Sequence, residues 1–224
     1  MKKHVSILLA VILVFSFPLS AIGGNYNGFV YKENDDGTLT ITGYNNFYES
    51  SVGIPKQING KNVTAIGNQA FMSKSSIETV SIPETVTSIG ALAFYGCKSL
   101  YSVNIGKNVV SIGNKAFNSC TSLDAINLKN VVTLGDYAFY GCKMLSQLNL
   151  GTSLKTIGEN AFTKCAAMIS VKMPATLETI SPYAFSGCEA IETLVFPDSL
   201  KFIGNSAFSK CTALSSVKFG SGEL

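Results

Sequence analysis

The chain of 224 residues contains no tryptophan and no arginine, and its one histidine is His4. Each gap removes a class of chemistry. Hydrolytic sites usually rest on a base that titrates near neutrality, on a histidine that activates a nucleophile, or on an arginine or metal clamp. None of these can be built past residue 4, and zinc and copper lose their commonest ligand. Charge of one sign is scarce as well. The 17 lysines face 14 carboxylates for a net charge of +3, which marks neither nucleic acid nor an anionic membrane as a partner. An apolar run long enough for a bilayer, ~20 residues, is also missing. The run from Val5 to Phe17 follows Lys2 and Lys3 and leads to Ala21-Ile22-Gly23, the order of a secretory signal peptide with its small-residue cleavage site. Removal of residues 1–23 takes away His4 and leaves 15 lysines against 14 carboxylates, a net charge of +1. No cysteine near the cleavage site offers a lipid attachment point, and residues 24–224 are expected to carry no surface anchor.

What the chain has instead is a period. An Ala-Phe pair recurs seven times, with Phe71, Phe94, Phe117, Phe139, Phe162, Phe185 and Phe208 spaced by 23, 23, 22, 23, 23 and 23 residues. A unit of this length cannot bury its own apolar face, so the copies must stack as a solenoid. Five residues before each phenylalanine stand Ile66, Ile89, Ile112, Leu134, Ile157, Ile180 and Ile203, each followed by glycine except at Ser181. Those glycines are expected to mark bends whose backbone angles glycine tolerates best. Three residues after the phenylalanine comes Lys74 in the first copy and Cys97, Cys120, Cys142, Cys165, Cys188 and Cys211 in the others. Further on, Leu100, Val103 and Ile105 recur as Leu123, Ile126 and Leu128, as Leu145, Leu148 and Leu150, and as Leu214, Val217 and Phe219. The last two alternate with a polar position, the period of a strand with one buried face. Against this frame Glu78, Glu84, Asp124, Asp136, Glu159, Glu178, Glu189 and Glu192 share no phase, so no catalytic carboxylate pair is expected.

The L-x-x-L-x-L strand signature is that of leucine-rich repeats, whose period of roughly 20 to 29 residues brackets this one. The longer unit I-G-x-x-A-F-x-x-C-x-x-L-x-x-V-x-I-P, from Val63 to Gly220, resembles the BspA-like or treponemal subclass of bacterial and protist surface proteins. The lead-in D-G-T-L-T-I-T-G-Y followed by I-P-K-Q-I-N-G-K-N-V-T-A-I-G is similar to the segment preceding such repeats. The resemblance implies a leucine-rich-repeat solenoid. It would be a right-handed α/β-type superhelix of about seven 23-residue repeats, with short parallel strands and irregular or short-helical connections. It also implies adhesion to host matrix proteins or to other cells. The expected divisions are a signal peptide at 1–23, an N-terminal cap with a hairpin at 24–62, and repeats at 63–224.

Three features invite chemistry and are better explained by structure. Six cysteines in a secreted chain ordinarily imply disulfides. In-phase cysteines of adjacent coils, however, lie about one strand spacing apart, ~4.8 Å, and point the same way, whereas a disulfide needs Cβ atoms ~3.5 to 4.5 Å apart and facing. A ladder of small buried hydrophobes is expected, and a line of thiols is no zinc tetrahedron. Asn34-Asp35-Asp36-Gly37 lacks the alternate-residue ligand spacing of a calcium loop and reads as a hairpin turn. The seven phenylalanines, each behind an alanine and among Ile, Leu and Cys, read as a core spine rather than an aromatic groove.

Function is then left to the outward positions of the strands: Thr79 and Ser81, Ser102 and Asn104, Ala125 and Asn127, Gln147 and Asn149, Ser170 and Lys172, Thr193 and Val195, and Ser216 and Lys218. This face of hydroxyls and amides suits a protein backbone or a polymer. Asn104, Asn127 and Asn149 share one column and have an alternative use as an amide ladder bonding only to itself. A second candidate surface is a tyrosine margin of Tyr95, Tyr137, Tyr140 and Tyr183. The expected role is non-enzymatic binding of an extracellular or cell-surface protein by a secreted or surface-located chain, with the periplasm as an alternative compartment. Glycan recognition ranks lower, because sugar sites pair aromatic platforms with carboxylates and only Tyr101 lies near the strand face. The third alternative is a homodimer through the C-terminal coil, which shows no polar cap.

Overall fold

The computed structural model describes residues 23–220. All of the expected signal peptide except Gly23 lies outside the described residues, as do Ser221 to Leu224. Between these limits the chain winds as a stack of coils with a strand ladder on each of two sides. One side carries two-residue strands at Ser88–Ile89, Ser111–Ile112 and Thr133–Leu134, continuing in a second group at Thr156–Ile157, Thr179–Ile180 and Phe202–Ile203. The other carries Thr79–Ser81, Ser102–Asn104, Ala125–Leu128 and Gln147–Leu150, then Thr193–Phe196 and Ser216–Phe219. All of these pair in parallel with the coil before or after, in the register the repeat demands, as in Asn127 opposite Asn149.

The third side of each coil, which holds the Ala-Phe pair, is neither strand nor helix. The sequence leaves room for short helical connections, and among the described residues none forms. Amide bonds here alternate between a local turn and the next coil: Tyr95 and Cys97 donate to Leu92 and Phe94, whereas Leu92, Phe94 and Gly96 donate to Asn114, Ala116 and Asn118. Half of the amides a helix would need therefore serve the stack. The alternation requires left-handed backbone two residues before and two residues after each phenylalanine, as at Lys115 (φ 58°) and Ser119 (φ 61°). A right-handed helix cannot pass through such residues.

The glycines that follow the isoleucine column turn out to serve a different purpose from the bends expected of them. Gly90 and Gly113 do not have positive φ. A Cβ on Gly113 would instead lie 2.6 Å from the Ala91 nitrogen and 2.8 Å from the Gly90 carbon of the preceding coil. Close stacking of backbone on backbone selects glycine there, and the strained angles fall on its non-glycine neighbours.

Inside, the phenylalanines form one column of parallel rings, from Phe71 over Phe94 at 4.9 Å to Phe185 over Phe208 at 5.3 Å, with planes within 13° of each other throughout. The isoleucine column as far as Ile180, the alanines and five of the six cysteines are buried beside them, while Ile203 is exposed. All six thiols are free.

The N-terminal segment contributes more than a hairpin. Gly23–Tyr26 and Phe29–Glu33 pair antiparallel around Asn27-Gly28, both at positive φ as a tight type I′ turn requires. Phe29–Glu33 returns antiparallel to Leu39–Tyr44 through a turn in which Asp36 accepts both the amide and the hydroxyl of Thr38, at 2.9 and 2.6 Å. Leu39–Tyr44 then runs parallel to Lys61–Ile66, Ser51–Gly53 runs parallel to Thr79–Ser81, and the Tyr44 ring lies 5.4 Å from Phe71. The Gly67 amide bonds the Ile41 carbonyl at 2.7 Å just as Gly90 bonds Ile66 at 2.8 Å. Residues 39–53 thus act as an additional coil that the Ala-Phe signature does not mark.

Candidate functional site

The polar strand positions do lie on one surface. Thr79, Ser102, Ala125 and Gln147 are in direct register, as are Ser81 with Asn104 and Asn127 with Asn149. The Asn149 Nδ2 donates to Asn127 Oδ1 at 3.2 Å, and that same oxygen accepts the Lys129 amide at 3.1 Å. The amide ladder accordingly has one rung. At the N-terminal edge the Thr79 hydroxyl donates to Ser51 Oγ at 2.9 Å, so the extra coil partly occupies this end of the face.

The ladder is interrupted once. Ser170 makes a single bridge to Thr193, and Val171 to Met173 form no strand. On the opposite side of the same coil, Thr133–Leu134 and Thr156–Ile157 belong to separate sheets. The amides of Thr156, Gly158 and Ser170, whose counterparts Thr133, Gly135 and Gln147 bond the coil before, find no carbonyl there among the described residues. The seam follows the one 22-residue interval, whose loop Lys129-Asn130 is a residue shorter than the others, and the coil beyond it carries Met168 and Met173 where its neighbours carry Leu or Ile at the first position and Leu or Phe at the second. The phenylalanine side stays continuous, with Phe139 donating to Ala161 at 2.8 Å, and the Ala167 amide still bonds the Lys143 carbonyl at 3.1 Å.

Two grooves open along this stretch. One, about 550 Å³, is bounded by Ser102, Ala125, Asn127, Gln147, Asn149, Ser170 and Lys172, with Val103, Ile126 and Leu148 between them. The other, about 940 Å³, adds an apolar floor from Val171, Met173, Pro174, Phe196 and Pro197, with Thr193 and Val195 alongside. Asn149, Ser170 and Lys172 belong to both. Of the outward residues expected from sequence, Thr79, Ser81, Asn104, Ser216 and Lys218 line neither groove, although Lys218 stands in register with Val195. Sequence reasoning missed the proline and methionine floor, whose one visible signal was the departure of Met173 and Phe196 from the Ile/Leu of their column.

The tyrosine margin divides. Tyr137 and Tyr140 lie 5.8 Å apart, with Lys115 over the first ring at 5.4 Å and Lys164 over the second at 5.3 Å. Tyr140 holds the Lys164 ammonium above its ordinary range, and partial burial followed by Glu159 and Asp136 raises the Tyr137 phenol. Tyr95 and Tyr183 belong to other coils and join no such cluster among the described aromatic and cation contacts.

The remaining perturbed groups lie away from the strand face. Glu84, held between Lys107 at 3.2 Å and Lys56 at 3.3 Å, and Glu178, held between Lys201 at 2.7 Å and Lys155 at 3.8 Å, are both lowered by those lysines. Burial pushes Cys97 up to about 12 and raises the thiols of Cys120, Cys142 and Cys165 well above their ordinary value, which disfavours thiolate chemistry. Among the described residues no group of three or more His, Cys, Asp or Glu side chains is placed to hold a metal ion, and no helix is long and apolar enough to cross a membrane.

Stacked parallel strands at a 23-residue period, with an L-x-x-L-x-L core, define a leucine-rich-repeat solenoid. The chain belongs to the BspA type leucine rich repeat family, whose repeat matches in six copies over residues 40–167 and 132–223. A leucine rich cell surface protein from Faecalibacterium prausnitzii is 32% identical with a TM-score of 0.82, covering 89% of this chain and 55% of its own, so the chain spans about half the length of that relative. The T. pallidum leucine rich repeat protein is 28% identical with a TM-score of 0.79, covering 86% of this chain and 90% of its own. A leucine-rich repeat protein from Bacteroides ovatus, 24% identical over 88% of this chain and 71% of its own with a TM-score of 0.57, shares the fold. No curated protein matches the chain.

Proposed function

We propose that the protein is a non-enzymatic binding module, secreted or displayed at a cell surface, that recognises an extracellular or cell-surface protein through its strand face. The observation that carries this reading is the run of outward hydroxyl and amide groups in register on stacked strands, opening into two grooves. Such a surface offers many weak, directional contacts without a desolvated charge, which suits an irregular protein epitope. The family and the surface location stated for the F. prausnitzii relative support the compartment and the binding role. Adhesion to host matrix or cell-surface components is the specific form the family resemblance favours. One array of matrix proteins and glycans, probed with wild type and with Asn127→Lys plus Asn149→Lys, tests the reading. Capture of a protein that the variant abolishes supports it, and capture unchanged by the variant moves the site off the strands.

A homodimer is a second reading with an observation of its own. In the last described coil Phe202, Ile203 and Phe219 are exposed, and Phe208, Leu214 and Val217 are only partly covered. Light scattering of the purified chain separates dimer from monomer.

A further inference from the structure

We infer that the apolar groove beyond the seam is the specificity subsite of the strand face, and that it takes an extended acidic peptide segment of the partner protein, with one apolar side chain set between two carboxylates. The inference rests on the strand-face reading and narrows it to one end of the face and one ligand chemistry. Three observations lead to it.

The first is charge. From Thr79 to Gln147 and Asn149 the outward columns are uncharged, and the two lysines of the whole face, Lys172 and Lys218, both fall beyond the seam. Both are exposed, and neither pairs with a carboxylate among the described residues, whereas Lys56, Lys107, Lys155 and Lys201 on the loop side all do. Val195 stands between them, 53% exposed, in register with Lys218 and one coil on from Lys172.

The second is shape. The floor beside Val195 is formed by Met173, Phe196 and Pro197, and Asp198 is the one carboxylate of the lining. An apolar floor with Lys172 and Lys218 beside it favours a peptide with a side chain to bury over a polyanionic sugar, which brings charge but nothing apolar.

The third is the interrupted ladder. Because the Ser170 amide finds no carbonyl in the preceding coil and Val171 to Met173 form no strand, this wall of the groove carries hydrogen-bonding capacity unused by the fold. An extended peptide that crosses the coils from Lys172 to Lys218 can place a main-chain carbonyl at this amide.

Two strand spacings separate Lys172 from Lys218, about 10 Å. In an extended peptide, residues i, i+2 and i+4 share one side and span roughly 13 Å, a difference the long lysine stems absorb. The pattern that fits is Glu-x-Leu-x-Glu.

The test uses fluorescence anisotropy of labelled peptides carrying Glu-x-Leu-x-Glu, Lys-x-Leu-x-Lys or Glu-x-Ser-x-Glu, with the protein from residue 24 onward. Binding of the first alone is expected. Lys172→Glu plus Lys218→Glu should weaken it roughly tenfold at low ionic strength, and salt should erode the difference. Val195→Glu, at an exposed position, should abolish binding while circular dichroism and the urea midpoint stay unchanged. Equal binding of the leucine and serine peptides, with displacement by heparin, would show a general polyanion site and overturn the proposal. If a protein captured on the array is lost with the Asn127/Asn149 variant but kept with the lysine variant, the subsite fails and the strand-face reading stands. If neither variant affects capture, both fail.

Discussion

Cys142 donates its thiol proton to the carbonyl oxygen of Phe117, one coil back, across 3.2 Å. The same bond joins Cys97 to Phe71, Cys120 to Phe94, Cys165 to Phe139, Cys188 to Phe162 and Cys211 to Phe185. The phenylalanine carbonyl also accepts the amide of the cysteine in its own coil, as Phe94 does from Cys97 at 3.2 Å. Cysteine recurs at this position because it is small, apolar and still a donor, and because the thiol stitches successive coils along the phenylalanine spine. The first repeat departs from it, and there Lys74 reaches outward over Phe47, its ammonium 4.0 Å from the ring centre.

Thiol titration of the denatured protein, handled without oxidant, is therefore expected to find all six cysteines free. Three disulfides would contradict the stacked arrangement. In the native state alkylation should be slow for the five buried thiols and fastest for Cys211, which is only partly covered.

Alkaline pH should weaken the fold. An unfolded thiol releases its proton near the ordinary 9.0, whereas burial holds Cys97 to about 12. Over that window the unfolded chain binds fewer protons than the native one, so stability is full below 9.0 and declines as pH rises toward 12. Urea midpoints followed from neutral to alkaline pH should fall, and Cys120→Ala plus Cys142→Ala should make the decline shallower.

Phe139→Ala, in the middle of the ring column, should cost about 3 to 5 kcal/mol in urea unfolding. Phe208→Ala should cost less, because its ring has a stacked neighbour on one side and is not fully buried. An equal loss at the two positions would argue against a column in which each coil leans on both neighbours.

Gly113→Ala should destabilise by about 2 to 4 kcal/mol, since its Cβ meets the Ala91 nitrogen at 2.6 Å and backbone must move. Gly53→Ala, with nothing within 4 Å and no positive φ, should change stability by less than about 0.5 kcal/mol. Thermal melts of the two variants check the contrast.

Amide hydrogen exchange should find the seam. Thr156, Gly158 and Ser170 lack the inter-coil acceptors used by Thr133, Gly135 and Gln147, and are expected to exchange faster than those three. Uniform protection along the stack would contradict an interrupted ladder.

Much of this was legible in the sequence because a repeat states each fact many times. The phase of Phe, Ile and Cys placed the core columns, and the alternation after Leu100 and Leu123 placed the strands. The additional coil at residues 39–53 was not legible, because Tyr44 fills the ring position without the Ala-Phe pair and its spacing to Phe71 departs from the period. The glycine column is visible in the sequence and its cause is not: spacing reports that a position needs glycine, and not whether the reason is a backbone angle or a neighbouring coil. The candidate face was found as a set of outward residues, yet its grooves were not, since they arise where one coil fails to continue the ladder.

The amino-acid sequence by itself determined that near-identical coils stack, which side chains go inside, and that thiols would line up rather than cross-link. Period and polarity are local properties, and each coil needs only its neighbours to express them. The tertiary structure alone decided where the stack loosens and which outward residues share a groove. Those depend on how a short loop, two methionines and a broken hydrogen-bond register in one coil meet the coils on either side.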